Sequence, residues 1–425
     1  MSTLAQEATV AATSIVVSAA GHRYLYLRLV KNVTASTRLR RAGQAAAAAL
    51  TVLVPTGVLA AQNTNPAHLA WLAWPTFVWV AVAAYLMMIL VVLEIPVRLS
   101  SRALRRRTGS GPAAPSRAPR TPVIHQARSA GAPGPDRTCP QPVEDTMRMV
   151  DRRLVLTRSV ALLATGTAVA TTSYGFRRGL GAPDVKTVPV ALRQLHPSLD
   201  GMRITMASDL HLGPFFGRTH TTRMVRMIND TVPDLVAIVG DLSDGSAEDL
   251  AAHAEPLTRL TSTHGTFFVT GNHDYRHDID TWIDTLADFR VTTLRNTRSL
   301  IKHRGGTLDL AGVTDIEGKQ HHDAPDYDTA LGDRDPSHPV VLLAHQPVQV
   351  HEAARHNVDL QLSGHTHGGA FFPGNLIVPL TQPVTAGLAT IDRTQLYVSR
   401  GVGASLPPIR VGAPPDITVI ELRRV

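Results

Sequence analysis

Apolar positions fall into two textures along this chain: long uninterrupted runs in the first 178 residues, and short runs ending in polar clusters from about residue 196. Residues 43 to 61 and 69 to 93 carry no charge. At 1.5 Å of rise per residue each is long enough to cross a hydrocarbon core about 30 Å thick, so both predict transmembrane helices. Residues 8 to 30 predict a first span, although His22, Arg23 and Arg28 occupy its second half. The alternative there is an interfacial helix, with Tyr24, Tyr26 and the arginines at headgroup level. Ser159 to Gly175, bracketed by Arg152, Arg153, Arg177 and Arg178, predicts a fourth span. A buried helix of a soluble domain is its alternative, because Thr165, Thr167, Thr171 and Thr172 dilute the run.

From residue 196 onward, strand-like runs alternate with helical spacing, which is α/β punctuation. The pattern predicts strands at Arg203 to Ser208, Leu235 to Val239, Thr266 to Thr270, Thr307 to Val313, Val340 to Ala344 and Asp359 to Leu362, with further strands near Leu396 to Ser399 and Ile417 to Leu422. Ile279, Trp282, Ile283, Leu286 and Phe289 keep helical spacing, as do Met224, Val225 and Ile228 before Pro233. No internal repeat is visible. The implied organisation is a transmembrane region at 1–97, a linker at 98–153, a fourth helix at 154–178 and an α/β domain at 196–425.

Charge adds an orientation. Residues 1 to 178 hold 21 Lys or Arg against 6 Asp or Glu, whereas residues 179 to 425 hold 21 against 28. The basic residues flank apolar runs and the second part is net acidic, so membrane orientation explains the high pI and nucleic-acid binding is not expected. Loops 31 to 42 and 98 to 153 are arginine-rich, while 62 to 68 carries no charge. The positive-inside rule therefore keeps the first and last of these in the cytoplasm, and the fourth span carries the α/β domain outside, in a multi-pass protein of the cell membrane. The 100 to 145 stretch is rich in Pro, Gly, Ala and Arg and predicts a disordered cytoplasmic linker. Arg152-Arg153-Leu154-Val155-Leu156 has the form of a twin-arginine export signal, against which stand its internal position and Asp151. The only cysteine, Cys139, excludes a disulfide framework and a thiolate metal site.

Any metal must therefore use His, Asp and Asn, and five of the expected strands end in such residues. They are Asp209 and His211 in SDLH, Asp241 in GDLSD, Asn272 and His273 in GNHD, His345 in AHQP, and His365 and His367 in GHTHGG. Ligands gather at the carboxyl ends of strands in α/β sheets, so these blocks can converge although they are far apart in sequence. Imidazole with carboxylate suits Mn²⁺, Zn²⁺ or Fe²⁺, where an all-oxygen set would suit Mg²⁺ or Ca²⁺. A carboxylate can bridge two cations, and Gly240, Gly271 and Gly364 let the backbone turn tightly beside the ligands. Two divalent ions would bind a phosphate ester, turn a water into hydroxide and neutralise the charge of an in-line displacement.

In order, these blocks resemble the signature of calcineurin-like metallophosphoesterases: D-x-H, G-D, G-N-H-[DE], H and G-H-x-H. The resemblance covers roughly residues 200 to 425 and implies a two-sheet α/β/β/α sandwich, where strand counting alone gives only α/β. It implies that Asp209, His211 and His367 hold one metal, that Asn272, His345 and His365 hold the other, and that Asp241 bridges them. His273 would act on the leaving oxygen or the charged phosphate, and Asp274 would orient it. The order of spans, GHTHGG and YVSRG followed by RVGAPPDITV resemble a membrane-anchored bacterial branch. Its members are ascribed to UDP-2,3-diacylglucosamine hydrolysis or to cell-envelope phosphodiesters, so a lipid-linked substrate is an expectation. That branch usually has a Trp-Gly-Pro-Pro turn after SRG, and here Ala404-Ser405-Leu406-Pro407-Pro408 replaces it.

Ten of the remaining histidines, His220, His253, His264, His277, His303, His321, His322, His338, His351 and His356, read as surface or satisfied core residues. The His321-His322 pair sits in a polar loop near the expected cleft. Arg218 reads equally as a phosphate contact or a surface residue. The Pro-rich turns from Pro373 to Pro383 read as loop structure. A phosphoester hydrolase, phosphodiesterase foremost, is the leading function. The alternatives are a catalytically silent metal-binding scaffold and a transporter, the latter disfavoured because Glu94, at a helix end, is the sole carboxylate in the helices.

Overall fold

The strand ladder starts earlier than the change of texture suggests. This computed structural model describes the backbone of residues 3–63, 66–108, 143–405 and 407–425, with side chains for 13–58, 60, 71–95, 154–405 and 407–425. Four helices come first: α1 (Thr3–Tyr26), α2 (Thr37–Asn63), α3 (Pro66–Thr108) and α4 (Val143–Gly179). Among the described residues two stretches are long and apolar enough to cross a membrane, Trp71–Ile95 in α3 and Leu154–Gly179 in α4. The spans read at 8–30 and 43–61 reach onto residues whose side chains lie outside the described ones. Of the linker read at 98–153, α3 takes the residues as far as Thr108 and α4 those from Val143, while 109–142 lie outside the described residues.

The chain divides into two compact units, one of residues 1–18, 50–83 and 169–425 and the other of 19–49 and 84–168. In the second unit Glu94 has a structural employment. The Tyr24 hydroxyl donates to it at 2.7 Å and Arg28 forms an ion pair with it. A carboxylate paired in this way fits an anchor better than an ion path.

The first unit contains two six-stranded sheets. One has the order β1 (Asp184–Leu192), β12 (Asp416–Arg424), β2 (Arg203–Ala207), β3 (Leu235–Val239), β4 (Thr266–Val269) and β5 (Val291–Thr293). The other has β10 (Gly387–Ile391), β11 (Thr394–Val398), β9 (Leu360–Ser363), β8 (Val340–Leu343), β7 (Gly306–Gly312) and β6 (Thr297–His303). Strands β2 to β5 are mutually parallel, as are β7, β8, β9 and β11; β12 runs antiparallel to β2, and β6 and β10 are antiparallel edges.

Strand residues alternate between two apolar layers. In β3, Leu235, Ala237 and Val239 join the layer between the sheets, with Ile204, Met206, Val341, Leu343 and Leu362. Val236 and Ile238 point the other way, toward α5 (Arg218–Asn229), α6 (Ala247–Ala254) and α7 (Ile279–Asp288). On the far side, Val340 and Leu342 of β8 pack with α8 (Tyr327–Leu331) and α9 (Val350–Arg355). Each fully buried side chain of this kind contributes about 1.5–3 kcal/mol, so the strands read as continuous apolar runs because both faces are covered. The result is the expected α/β/β/α arrangement, preceded by helices that could cross a membrane. It takes in β1, upstream of the domain start read at 196, where Pro189 is tolerated because the strand is an edge.

Candidate active site

Parallel strands put their carboxyl ends on one edge, and there the polar blocks converge. Asp209 and His211 follow β2, Asp241 follows β3, Asn272 and His273 follow β4, His345 follows β8, and His365 and His367 follow β9. Five of these residues hold left-handed backbone: Asp209 (φ 56°), His211 (48°), Asp241 (51°), His365 (71°) and His367 (52°). That conformation costs about 1 kcal/mol or more for a residue with a side chain, and its concentration here marks a functional edge.

Backbone bonds hold the edge in shape. The Asp209 amide donates to the Gly240 carbonyl at 3.0 Å and the His211 amide to the Asp241 carbonyl at 3.1 Å. The glycines serve partly for a reason other than turning. Gly240 has φ 75°, but Gly364 has no positive φ; a Cβ on Gly364 would come 2.4 Å from Asp209 Oδ2. The carboxylate fills the space that a side chain would take.

Three groups of side chains could each hold a metal ion: Asp209 with His211 and His367, Asp241 with His345 and His365, and His211 with Asp244 and His273. In the first, His367 Nε2 lies 3.1 Å from His211 Nε2 and 3.4 Å from Asp209 Oδ1. In the second, His345 Nδ1 donates to the Val239 carbonyl at 2.9 Å, which turns Nε2 toward Asp241. That Nε2 is buried without a hydrogen-bond partner among the described residues, although Asp241 Oδ2 stands 3.3 Å away. An orphaned ring nitrogen facing a buried carboxylate is what a cation site requires. Asn272 Oδ1 lies 2.9 Å from His365 Nδ1. Asp241 Oδ2 is also 3.7 Å from His211 Nε2, so one carboxylate oxygen faces both groups.

Charge is concentrated here. Burial opposes the charged form of His345, but Asp241 and Asp209 outweigh it and hold the ring well above the usual imidazole range. Burial likewise opposes His211, and Asp244, Asp241 and Asp209 together push it up to about 9. Burial, then Arg410, holds His367 well below the usual value.

The structure gives Asp274 backbone partners and adds two residues. Asp274 does not touch the His273 ring. Its carboxylate accepts from the amides of Leu242 (2.8 Å), Ser243 (3.3 Å) and Gly271 (2.7 Å), tying together the loops after β3 and β4. Burial, then the nearby Asp241 carboxylate, raises it to about 7. His273 instead meets Asp244, whose Oδ1 lies 2.6 Å from His273 Nδ1 and 3.1 Å from His211 Nδ1. Burial opposes ionisation of Asp244, yet His211 and His273 hold it far below the usual carboxylate range. An ionised oxygen can only accept, so both rings carry a proton on Nδ1 and present Nε2 to the site. The second addition is Arg410, 1% exposed, which donates to the His367 carbonyl and to His367 Nδ1, both at 2.7 Å. The GDLSD and RVGAPPDITV segments hold these residues, but nothing in their spacing assigns them a contact.

None of the ten histidines read as surface or core residues joins a metal-capable group among the described residues. His220 packs edge-on to Phe216, His264 meets His303, and His321 stacks near Tyr275 at 5.3 Å. Arg218 is engaged with Glu255 and the Ala252 carbonyl.

A sequence model of the Calcineurin-like phosphoesterase family matches residues 202–369, which spans all five blocks. The chain belongs to the calcineurin-like metallophosphoesterases. It is 38% identical over 285 residues to the transmembrane protein with metallophosphoesterase domain of Bos taurus, covering 64% of each chain. It is 40% identical over 251 residues to an uncharacterized metallophosphoesterase of Helicobacter pylori strain J99, covering 58% of this chain and 66% of that one. Over 289 residues it is 31% identical to the uncharacterized metallophosphoesterase YkuE of Bacillus subtilis strain 168, covering 65% of this chain and 99% of that one. The chain thus spans just under two thirds of the length of the first two relatives.

Proposed function

We propose that this metallophosphoesterase is a membrane-anchored hydrolase of phosphate esters, phosphodiesters foremost, working with two divalent ions such as Mn²⁺, Zn²⁺ or Fe²⁺. The observation that carries the reading is Asp241, whose Oδ2 faces both His211 and His345 across 3.7 and 3.3 Å. Asp209, His211 and His367 would hold one ion, and Asn272, His345 and His365 the other, with Asp241 shared. When bound, the ions would supply a water activated at neutral pH and positive charge to offset the developing negative charge.

The other parts fall to the protein. Asp244 accepts from His273 Nδ1, so Nε2 is the atom that meets the substrate, and when the ring carries its second proton that Nε2–H would donate to the leaving oxygen or to a phosphate oxygen. The His273 amide donates to Asp241 Oδ1 at 2.8 Å, which fixes both residues to one frame. Asp274 keeps the two loops that carry them in register. Anchoring is supported by the two apolar helices and by the Bos taurus relative's description as a transmembrane protein. With the arginine-rich loops inside, the catalytic part lies outside the cytoplasm, near cell-envelope and lipid-linked phosphoesters.

The test uses the full chain in detergent with Mn²⁺ or Zn²⁺, assayed on bis-p-nitrophenyl phosphate and p-nitrophenyl phosphate beside Asp241→Asn and His273→Ala. The expected result is metal-dependent turnover, faster on the diester and lost in both variants. Two bound metals without turnover on any phosphoester would favour a silent metal-binding scaffold.

A further inference from the structure

The loop that follows His367 has a composition that catalysis alone does not require. Residues 368 to 391 contain no charged side chain. Within it Phe372, Leu376, Ile377 and Leu380 are 48%, 62%, 59% and 81% exposed. Four large apolar side chains in water on one short loop form a surface that soluble proteins avoid, and such a surface marks an interaction.

What covers it follows from where the loop is rooted. The Val411 amide donates to the Ala370 carbonyl at 3.2 Å, and the Phe372 amide donates to the Val411 carbonyl at 3.1 Å. The neighbouring Arg410 amide donates to the Gly175 carbonyl at 3.0 Å. Gly175 lies one turn from the end of the apolar stretch Leu154–Gly179, and the exposed Arg177 follows it. The root of the loop is therefore level with the end of a candidate span.

A second loop makes an independent attachment. Phe215, just after the His211 block, packs edge-on to Trp74 at 4.7 Å and Phe77 at 6.1 Å, in the first turns of Trp71–Ile95. The end of one span and the start of the other thus reach the two loops that leave His367 and His211, whose Nε2 atoms are 3.1 Å apart. Opposite chain directions put both of those ends on the same membrane face. Tryptophan and arginine at those ends suit a headgroup layer.

We propose that the loop from Phe372 to Leu380 seats its apolar side chains in the acyl–headgroup boundary of the bilayer that the two spans cross, so that the metal centre takes a phosphoester head directly from a membrane lipid. The occupant is bilayer lipid. The delivery part rests on the phosphoesterase reading above, and the seating of the loop does not. An amphiphile would enter with its acyl chains along the loop and its phosphate toward His273 and the two ligand groups.

The experiment uses the full chain carrying Cys139→Ser, reconstituted in phosphatidylcholine–phosphatidylglycerol vesicles. An environment-sensitive fluorophore is attached through Leu376→Cys, Leu380→Cys or, as a control, Val232→Cys, which is 74% exposed before β3 at the opposite strand ends. Blue-shifted emission quenched by doxyl-labelled lipid is expected at 376 and 380 and not at 232. Emission at 376 and 380 matching that at 232 overturns the proposal. In the same vesicles, Leu376→Asp with Leu380→Asp is expected to slow cleavage of a diacylglycerol p-nitrophenyl phosphodiester at least ten-fold relative to bis-p-nitrophenyl phosphate. An unchanged ratio overturns lipid delivery. If the parent chain cleaves neither ester, the phosphoesterase reading fails, and the quenching still decides where the loop sits.

Discussion

Replacing Asp244 by Asn keeps the shape of the side chain and removes only its charge, so it isolates what that carboxylate does. One oxygen serves two rings, at 2.6 Å to His273 Nδ1 and 3.1 Å to His211 Nδ1. A hydrogen bond to a charged group contributes about 1.5–3 kcal/mol, roughly twice a neutral one, so each of the two bonds loses about 0.8–1.5 kcal/mol. The sum, about 1.5–3 kcal/mol, corresponds to a loss of about 10- to 150-fold at 1.36 kcal/mol per decade. Because one ring belongs to a candidate ligand and the other to the candidate acid, the loss divides between metal affinity and turnover. The assay titrates Mn²⁺ against diester hydrolysis and measures kcat at saturating metal. We expect a weaker apparent metal affinity, and a lower kcat that excess metal does not restore. A variant with unchanged affinity and unchanged kcat, or an Asp274→Asn variant that alone lowers kcat at full folding, would refute the assignment.

Arg410→Met fills the same buried space but leaves the His367 and Gly403 carbonyls without this donor, at about 1–3 kcal/mol for each unsatisfied group; the variant should melt lower than the parent, with partial recovery in Arg410→Lys, as read by a thermal melt. Gly364→Ala would press a Cβ to 2.4 Å from Asp209 Oδ2, costing about 1–3 kcal/mol of stability and weakening metal uptake; a melting curve unchanged from the parent would contradict this. A proton must lie between the His211 and His367 Nε2 atoms, since two lone pairs 3.1 Å apart would repel. Metal loading should release it, so that apparent affinity rises with pH and the binding heat depends on the buffer; buffer-independent heats would count against the assignment. Burial, then Arg223, lowers His220 to about 4, below its unfolded value of about 6.5, so its stabilisation is complete above pH 6.5 and is lost as pH falls toward 4. About 2 kcal/mol of it is gone at pH 5, and His220→Leu should melt with a flatter pH dependence between 7.5 and 5 than the parent.

Legibility in the sequence followed burial. Strands β3 and β8 were readable because both faces are covered and every position is apolar. The edges β1, β6 and β10 were not, because they are half-exposed; in β1 the alternation of DVKTVPVAL is broken by a proline that only an edge position tolerates. The ligand blocks were legible because each is short, rich in chemistry and placed at the end of a covered strand. What no spacing could reveal is the charge that supports them. Asp274 adjoins His273 in sequence and looks like its partner, yet backbone amides of two loops claim its oxygens. Asp244 lies 29 positions from His273 and reaches it only because β3 and β4 are parallel neighbours whose ends coincide. Arg410 lies 43 positions from His367 and meets it through a loop that also bonds to the end of α4. The two groups that set the histidine protonation are thus tied to the architecture rather than to the motif. The same loop at 408–412 links a candidate metal ligand, the end of a span and the root of the apolar loop. A disturbance of the anchor should therefore be felt at His367 before the distant group at His345 and Asn272.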